Sequence, residues 1–268
     1  DTECMQLLAE AGCDTAAVDN NGDNALMLAA YDDNAAVVRT ALAAGWCELE
    51  ATNKSGNTAF LLACATGDTE CMQLLAEAGC DTAAVNTEDE NALMRASFSG
   101  VGAAVRTVLA AGWCELETRQ ETGDTAFLVA CMKGSIECMQ LLVDAGCDTA
   151  AINHRGQTAA DVAKACNNVE AQQWLRELHT KRRVAALCQQ AQEMLTCGML
   201  SEAHAAAEQA IRLHPGSTEL AHLRDEIQSA VAKEFEERER QSRIAEAELM
   251  AMLDGESATT ECSVEQAQ

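Results

Sequence analysis

The eighteen residues DTECMQLLAEAGCDTAAV open the chain at Asp1–Val18, return unchanged at Asp68–Val85, and return altered at Ser135–Ile152. Cys4, Cys71 and Cys138 mark the interval of 67 residues. Copies at a fixed interval must each pack on their neighbours in the same way, so the chain folds as an array rather than around a single irreplaceable core. An array of this kind presents surface.

The 67-residue unit divides again. The strings NALMLAA (24–30), TAFLLAC (58–64), NALMRAS (91–97), TAFLVAC (125–131) and TAADVAK (158–164) start 34, 33, 34 and 33 residues apart. In each unit a turn such as Asn20-Asn21-Gly22 or His154-Arg155-Gly156 precedes Asn or Thr, residues that cap helix starts, and a short apolar helix follows. A second helix comes next, as at Glu70–Ala78, where Cys71, Met72, Leu74 and Leu75 share the buried side and Gly79 supplies the stop. Only Pro215 is a proline, which fits a nearly all-helical chain with glycine-marked turns.

This pattern resembles the ankyrin-repeat family over residues 1–180, in register five times. The family string G-x-T-P-L-H-x-A-A has a clear counterpart in Gly56-Asn57-Thr58-Ala59-Phe60-Leu61-Leu62-Ala63-Cys64. Alanine stands in place of the family's proline at Ala25, Ala59, Ala92, Ala126 and Ala159, and Met27, Leu61, Met94 and Leu128 replace its histidine. The resemblance implies an all-α solenoid: a partial repeat at 1–18, units near 19–52, 53–85, 86–119 and 120–152, and a more polar capping unit at 153–180 with Asp161 in its first helix. The chain begins within what reads as a second helix, so residues upstream of Asp1 are expected.

After Lys181-Arg182-Arg183 the period ends. Residues 181–216 carry Ala191, Gly198, Ala203, Ala210 and Pro215, which resemble one tetratricopeptide hairpin, with Cys188 and Gln192 where peptide-tail clamps of that type carry Lys and Asn. Residues 217–253 read as one long helix with Leu220, Leu223, Ile227 and Val231 at helical spacing. Its charged middle is expected to be solvated, and Ile244, Leu249, Met250 and Leu253 are placed to meet a helix of the chain's own hairpin or of a second copy. An acidic tail at 254–268 is expected to be disordered.

The net charge of −25 repels phosphate, so nucleic acid and anionic membrane surfaces are poor partners, whereas a basic or neutral protein surface is compatible. Ten of the fourteen cysteines recur with the repeat. Equivalent positions two repeats on lie roughly 20 Å apart if helices pack at about 8–10 Å, beyond disulfide reach. They read as buried free thiols of a reducing, cytoplasmic compartment. No CxxC pair occurs and the five histidines fall outside zinc spacings, so neither a metal nor another cofactor is expected. No phosphate loop, GxSxG or HExxH string is present, and no stretch is apolar enough to enter a membrane. The expected role is a non-enzymatic interaction module; the alternative is the regulatory or targeting arm of a larger enzyme or channel with its chemistry upstream.

The near-identical copies locate the expected contact surface. VVRTALAAGWCELE changes only to AVRTVLAAGWCELE, whereas Asp19–Asp23 becomes Asn86–Glu90 and Asn53–Asn57 becomes Gln120–Asp124. Tyr31-Asp32 faces Phe98-Ser99, and Ala65-Thr66 faces Met132-Lys133, at the ends of first helices. In the ankyrin family, hairpin tips and first helices form the concave partner-binding face, so the resemblance implies a surface made of Asp23, Tyr31, Asp32, Lys54, Asn57, Thr66, Glu88, Glu90, Phe98, Ser99, Glu121, Asp124, Met132, Lys133, His154 and Arg155. Tyr31, Phe98 and Met132 are its expected anchors. Trp46 and Trp113, unchanged between copies, suit packing instead.

Overall fold

A computed structural model of the chain describes residue 7 and residues 11–14, 16–45 and 48–265, with side chains described up to residue 246. The partial repeat at 1–18 therefore lies largely outside the described residues, as do Trp46 and Cys47. Twelve helices and no strands occur among the described residues. The chain divides into two compact units, Asp1–Arg176 and Glu177–Gln268.

The first unit is the solenoid. Its helices come in pairs: α1 (Ala25–Tyr31) and α2 (Ala35–Ala44), α3 (Ala59–Thr66) and α4 (Thr69–Glu77), α5 (Ala92–Ser99) and α6 (Gly102–Ala111), α7 (Ala126–Lys133) and α8 (Ile136–Asp144). The fifth pair is α9 (Ala159–Ala165) and the start of α10 (Val169–Thr196). Each first helix packs on the next first helix, and the second helices α2, α4, α6 and α8 pack in succession. The helices α1, α3, α5, α7 and α9 start on Asn24, Thr58, Asn91, Thr125 and Thr158, whose side chains each accept from an amide three residues on. This satisfies one of the amides that every helix start leaves without an intrahelical partner. Thr158 and Asp161 go further and bond reciprocally in a capping box.

The departures from the family string settle into the core. Met27, Leu61, Met94 and Leu128 are at most 1% exposed, so the side chains standing in the histidine position fill space between helices. Phe60 lies edge-on to Trp113 at 5.2 Å. Short second helices end at Gly45 and Gly112 and first helices at Gly67, Gly100 and Gly134, all left-handed. A Cβ at Gly67 would sit 2.7 Å from Val101, so glycine is required there for space as well as conformation. Asp33 and Asn167 hold the same left-handed position in the outer two pairs.

The second unit is a helical hairpin. The end of α10 packs with α11 (Leu200–Leu213) and α12 (Thr218–Glu265) through Ala191, Ala203, Ala206, Ala207, Leu223 and Ile227. Two boundaries differ from the expected ones. The helix α10 runs unbroken through the expected boundary at 180, because no glycine or proline separates Val169 from Thr196 and Glu, Gln, Leu, Arg and Ala dominate the stretch. The helix α12 continues beyond 253 to Glu265, through most of the stretch expected to be disordered, with Gly255 its single glycine and no proline. Of the four residues at helical spacing, Leu220, Leu223 and Ile227 are buried and Val231 is 43% exposed, so the buried row stops at Ile227.

Candidate binding surface

The hairpin tips are joined to one another along the stack. The Lys54 amide donates to the Asn21 carbonyl at 3.0 Å, Thr87 to Ser55 at 3.0 Å, Glu121 to Glu88 at 2.9 Å, and His154 to Thr122 at 3.0 Å. Beneath this ladder runs a second one made of side chains. Asn53 Nδ2 donates to Asp23 at 2.7 Å, Asn86 to Asn57 at 3.1 Å, and Asn153 to Asp124 at 2.9 Å. The Oδ1 atom of each of these asparagines accepts two amides of its own turn, as Asn53 does from Ser55 and Asn57 at 3.0 Å each. Asparagine at this position therefore shapes one turn and ties it to the preceding one.

These bonds sort the expected contact residues. Asn57 and Asp124 are 7% and 4% exposed and turned inward, the latter also accepting from Thr122 at 2.6 Å; their polar side chains hold the turns instead of facing out. Glu90 is half-buried and bonded to Asn86 at 2.8 Å and to the Arg95 guanidinium at 2.9 Å. Asp23, Thr66, Ser99 and Met132 are half-buried, and Met132 packs on the core. Thr66 and Ser99 donate to carbonyls of their own helices, Ala63 and Ala96.

Nine expected residues are exposed on the tip and first-helix side: Tyr31, Asp32, Lys54, Glu88, Phe98, Glu121, Lys133, His154 and Arg155. Tyr31 and Phe98 are 60% and 48% exposed. The Lys133 ammonium lies 5.3 Å from the centre of the Phe98 ring. Lys54 Nζ donates to the Asn20 carbonyl at 2.7 Å, and His154 Nδ1 is 3.0 Å from the Glu121 carbonyl.

Between the first two tips and α1 and α3 lies a pocket of about 410 Å³, lined by Asp23, Leu28, Tyr31, Asn53, Lys54 and Leu62 among others. Leu28, 42% exposed, is a surface residue that composition hides; its signal is the pairing with Arg95, which holds the same position one copy later.

Most of the repeated thiols lie elsewhere, in the stack, but Cys13 is exposed instead of buried as expected, and so are Cys166 and Cys197. Burial pushes Cys114 up to about 11 and Cys80, with help from Glu50 and Asp81, up to about 12; burial likewise raises Cys64, Cys131 and Cys138. Such thiols stay protonated at neutral pH and are poor nucleophiles.

A family model described as "Ankyrin repeats (3 copies)" matches residues 1–86, 37–118 and 93–183. Over 111 residues, 41% of this chain, the sequence is 32% identical to a "Transient receptor potential cation channel subfamily A member 1 homolog" of Caenorhabditis elegans, of which it covers 9%. Over 163 residues, 60% of this chain, it is 30% identical to the human "B-cell lymphoma 3 protein", of which it covers 36%. The chain thus spans much less than two thirds of either relative.

Proposed function

Since the chain belongs to the ankyrin-repeat family, we propose that it is a non-enzymatic module that binds a partner protein through the face built by its hairpin tips and first helices. The observation that carries this reading is the uneven divergence of the internal copies. The changes collect at the tips, where nine of the ten positions of 19–23 and 53–57 differ from their copies, and at Tyr31-Asp32, Phe98-Ser99 and Met132-Lys133, whereas the second helices differ at six of nineteen positions, mostly by small apolar exchanges. Of the bulky ones, Tyr31 and Phe98 stand exposed in a chain with 3% aromatic residues, whereas Met132 packs on the core. The inward Asn57 and Asp124 narrow the contact set to the exposed nine and the half-buried Asp23, Thr66, Glu90, Ser99 and Met132. Net charge favours a basic or neutral partner surface and disfavours nucleic acid. Protonated core thiols are in keeping with a reducing, cytoplasmic setting. No helix among the described residues is long and apolar enough to cross a membrane.

Replacing Tyr31 and Phe98 together by Ala tests the face without touching the core, on which Met132 packs. Crosslinking capture of the partner should fall at least tenfold while the thermal transition stays in place; undiminished capture removes this face from the function.

The small share of both relatives that the chain spans favours a second reading, in which the array is the regulatory or targeting arm of a longer protein such as a channel. Sequencing the transcript on the 5′ side of the Asp1 codon decides between an independent adaptor and such an arm. Self-association through α12 is a further proposal. It is supported by Val231, Phe235 and Ile244, exposed by 43%, 64% and 50%. Phe235→Glu should then lower the mass seen in sedimentation equilibrium, and an unchanged mass counts against it.

A further inference from the structure

The duplication supplies an internal comparison of one site in two states. Sixty-seven residues separate Asp23 from Glu90, Leu28 from Arg95, Tyr31 from Phe98, and Thr66 from Lys133. In the second copy the carboxylate of Glu90 is paired with the Arg95 guanidinium at 2.9 Å, and the Phe98 ring carries the Lys133 ammonium at 5.3 Å. Both cations come from the chain itself. In the first copy both are missing: Leu28 and Thr66 stand in their places, the acid and the ring remain as Asp23 and Tyr31, and a pocket of about 410 Å³ opens between them.

We propose that the pocket of the first copy receives a lysine or arginine side chain from a partner protein, its cation taking up the positions that Arg95 and Lys133 fill in the second copy. The proposal rests on the reading of this face as the binding face. Charge and shape support the same occupant. The ring of Tyr31 offers the negative face that attracts a cation, Leu28 and the nearly buried Leu62 form an apolar wall for the methylene stem, and Asp23 supplies the counter-charge. Asp23 already accepts one bond, from Asn53, through Oδ1, as Glu90 accepts from Asn86, so a carboxylate serving both a turn and a cation has its precedent in the chain. Lys54 lines the same pocket, but its ammonium is held on the Asn20 carbonyl at 2.7 Å, at the tip. Its charge weakens the site, and in the second copy Glu121 stands in its place.

The test titrates the full chain with N-acetyl-arginine amide and, in parallel, with uncharged N-acetyl-norleucine amide, following Tyr31 ring and Leu28 methyl signals by NMR. The arginine probe should give saturable shifts with a Kd on the order of millimolar. Asp23→Asn or Tyr31→Ala should weaken it about tenfold each, and Lys54→Glu should tighten it. Leu28→Arg with Thr66→Lys, which copies the filled site, should abolish it. Conversely, Arg95→Leu with Glu90→Asp and Lys133→Thr should open a second site, read at the Phe98 ring. The proposal is overturned by equal binding of the norleucine probe, by shifts that ignore Asp23→Asn, or by no saturable shift at any concentration up to tens of millimolar. Partner capture that survives Tyr31 and Phe98 replacement, alongside arginine binding in the pocket, defeats the wider binding-face reading while leaving the cation site intact. Capture lost on that replacement, with no arginine binding, defeats the cation site alone.

Discussion

Gln120 breaks the pattern that its counterparts obey, and restoring the pattern should stabilise the array. Asn53, Asn86 and Asn153 each accept two backbone amides of their own turn at 2.9–3.1 Å. Gln120 occupies the same position with one methylene more. Its Oε1 is buried without a partner, and its Nε2 turns to Thr122 at 2.8 Å and Asp124 at 3.2 Å. A buried oxygen left without a donor costs about 1–3 kcal/mol, and each hydrogen bond regained contributes about 1 kcal/mol net. These quantities overlap, since making the bonds is what satisfies the oxygen, and the two bonds from Nε2 are lost. Gln120→Asn is therefore expected to stabilise the solenoid by about 1–2 kcal/mol. For a unit of this size that raises the thermal midpoint by about 2–8 °C. Differential scanning calorimetry reads the midpoint, and amide exchange should show new protection at Thr122 and Asp124, the counterparts of Ser55 and Asn57. The mirror change, Asn86→Gln, should cost a similar amount. A midpoint for Gln120→Asn that stays or falls, with no added protection at those amides, would refute the view that this asparagine is what shapes each turn.

Four further outcomes can be checked. Among the described helices of ten residues or fewer, α6 alone starts without a side-chain cap, on Val101, so Val101→Asn should add about 1 kcal/mol in urea denaturation. Gly56 has φ +73° and a Cβ there would lie 2.7 Å from the Thr87 amide, so Gly56→Ala should destabilise by more than about 1 kcal/mol and weaken protection of the Thr87 amide. Truncating Arg95 to Ala removes the cation from the half-buried Glu90; a loss of about 1–3 kcal/mol is expected at neutral pH, and it should shrink when Glu90 is also changed to Gln. Cys64 and Cys131 are fully buried with pKa values above the ordinary 9.0, so they keep their protons when folded and lose them first when unfolded. The unfolded chain binds fewer protons above pH 9, so stability is full below that pH and falls as pH rises, by up to about 1.4 kcal/mol per pH unit for each such thiol. Urea midpoints at pH 8 and pH 10 should converge when both are changed to Ala.

Much of the stack is written openly in the sequence because its determinants are local and recur. The caps Asn24, Thr58, Asn91, Thr125 and Thr158 and the buried Cys71, Met72 and Leu75 follow from spacing within one unit. The roles of Asn57 and Asp124 do not, because each is decided by a donor 29 residues later in the chain, and polarity alone points outward. The Arg95–Glu90 pair is legible as chemistry, an odd cation in an apolar slot with acids nearby, but its geometry fixes which acid. The run from Val169 to Thr196 shows the limit of period-based boundaries: the end of a repeat need not be the end of a helix when nothing in the residues stops it.

The ladder of tips has a direction. Each tip lends an amide to the one before it and offers a carbonyl to the one after, so every link is made in the same sense. A row of this kind can be lengthened by splicing in a further 67-residue pair at any copy boundary, since the new tips find a carbonyl on one side and an amide on the other. Copy number is then a quantity that inheritance can raise or lower in whole steps. Each step would add one more place where an acid and a ring meet, ready to be left open or closed by two substitutions.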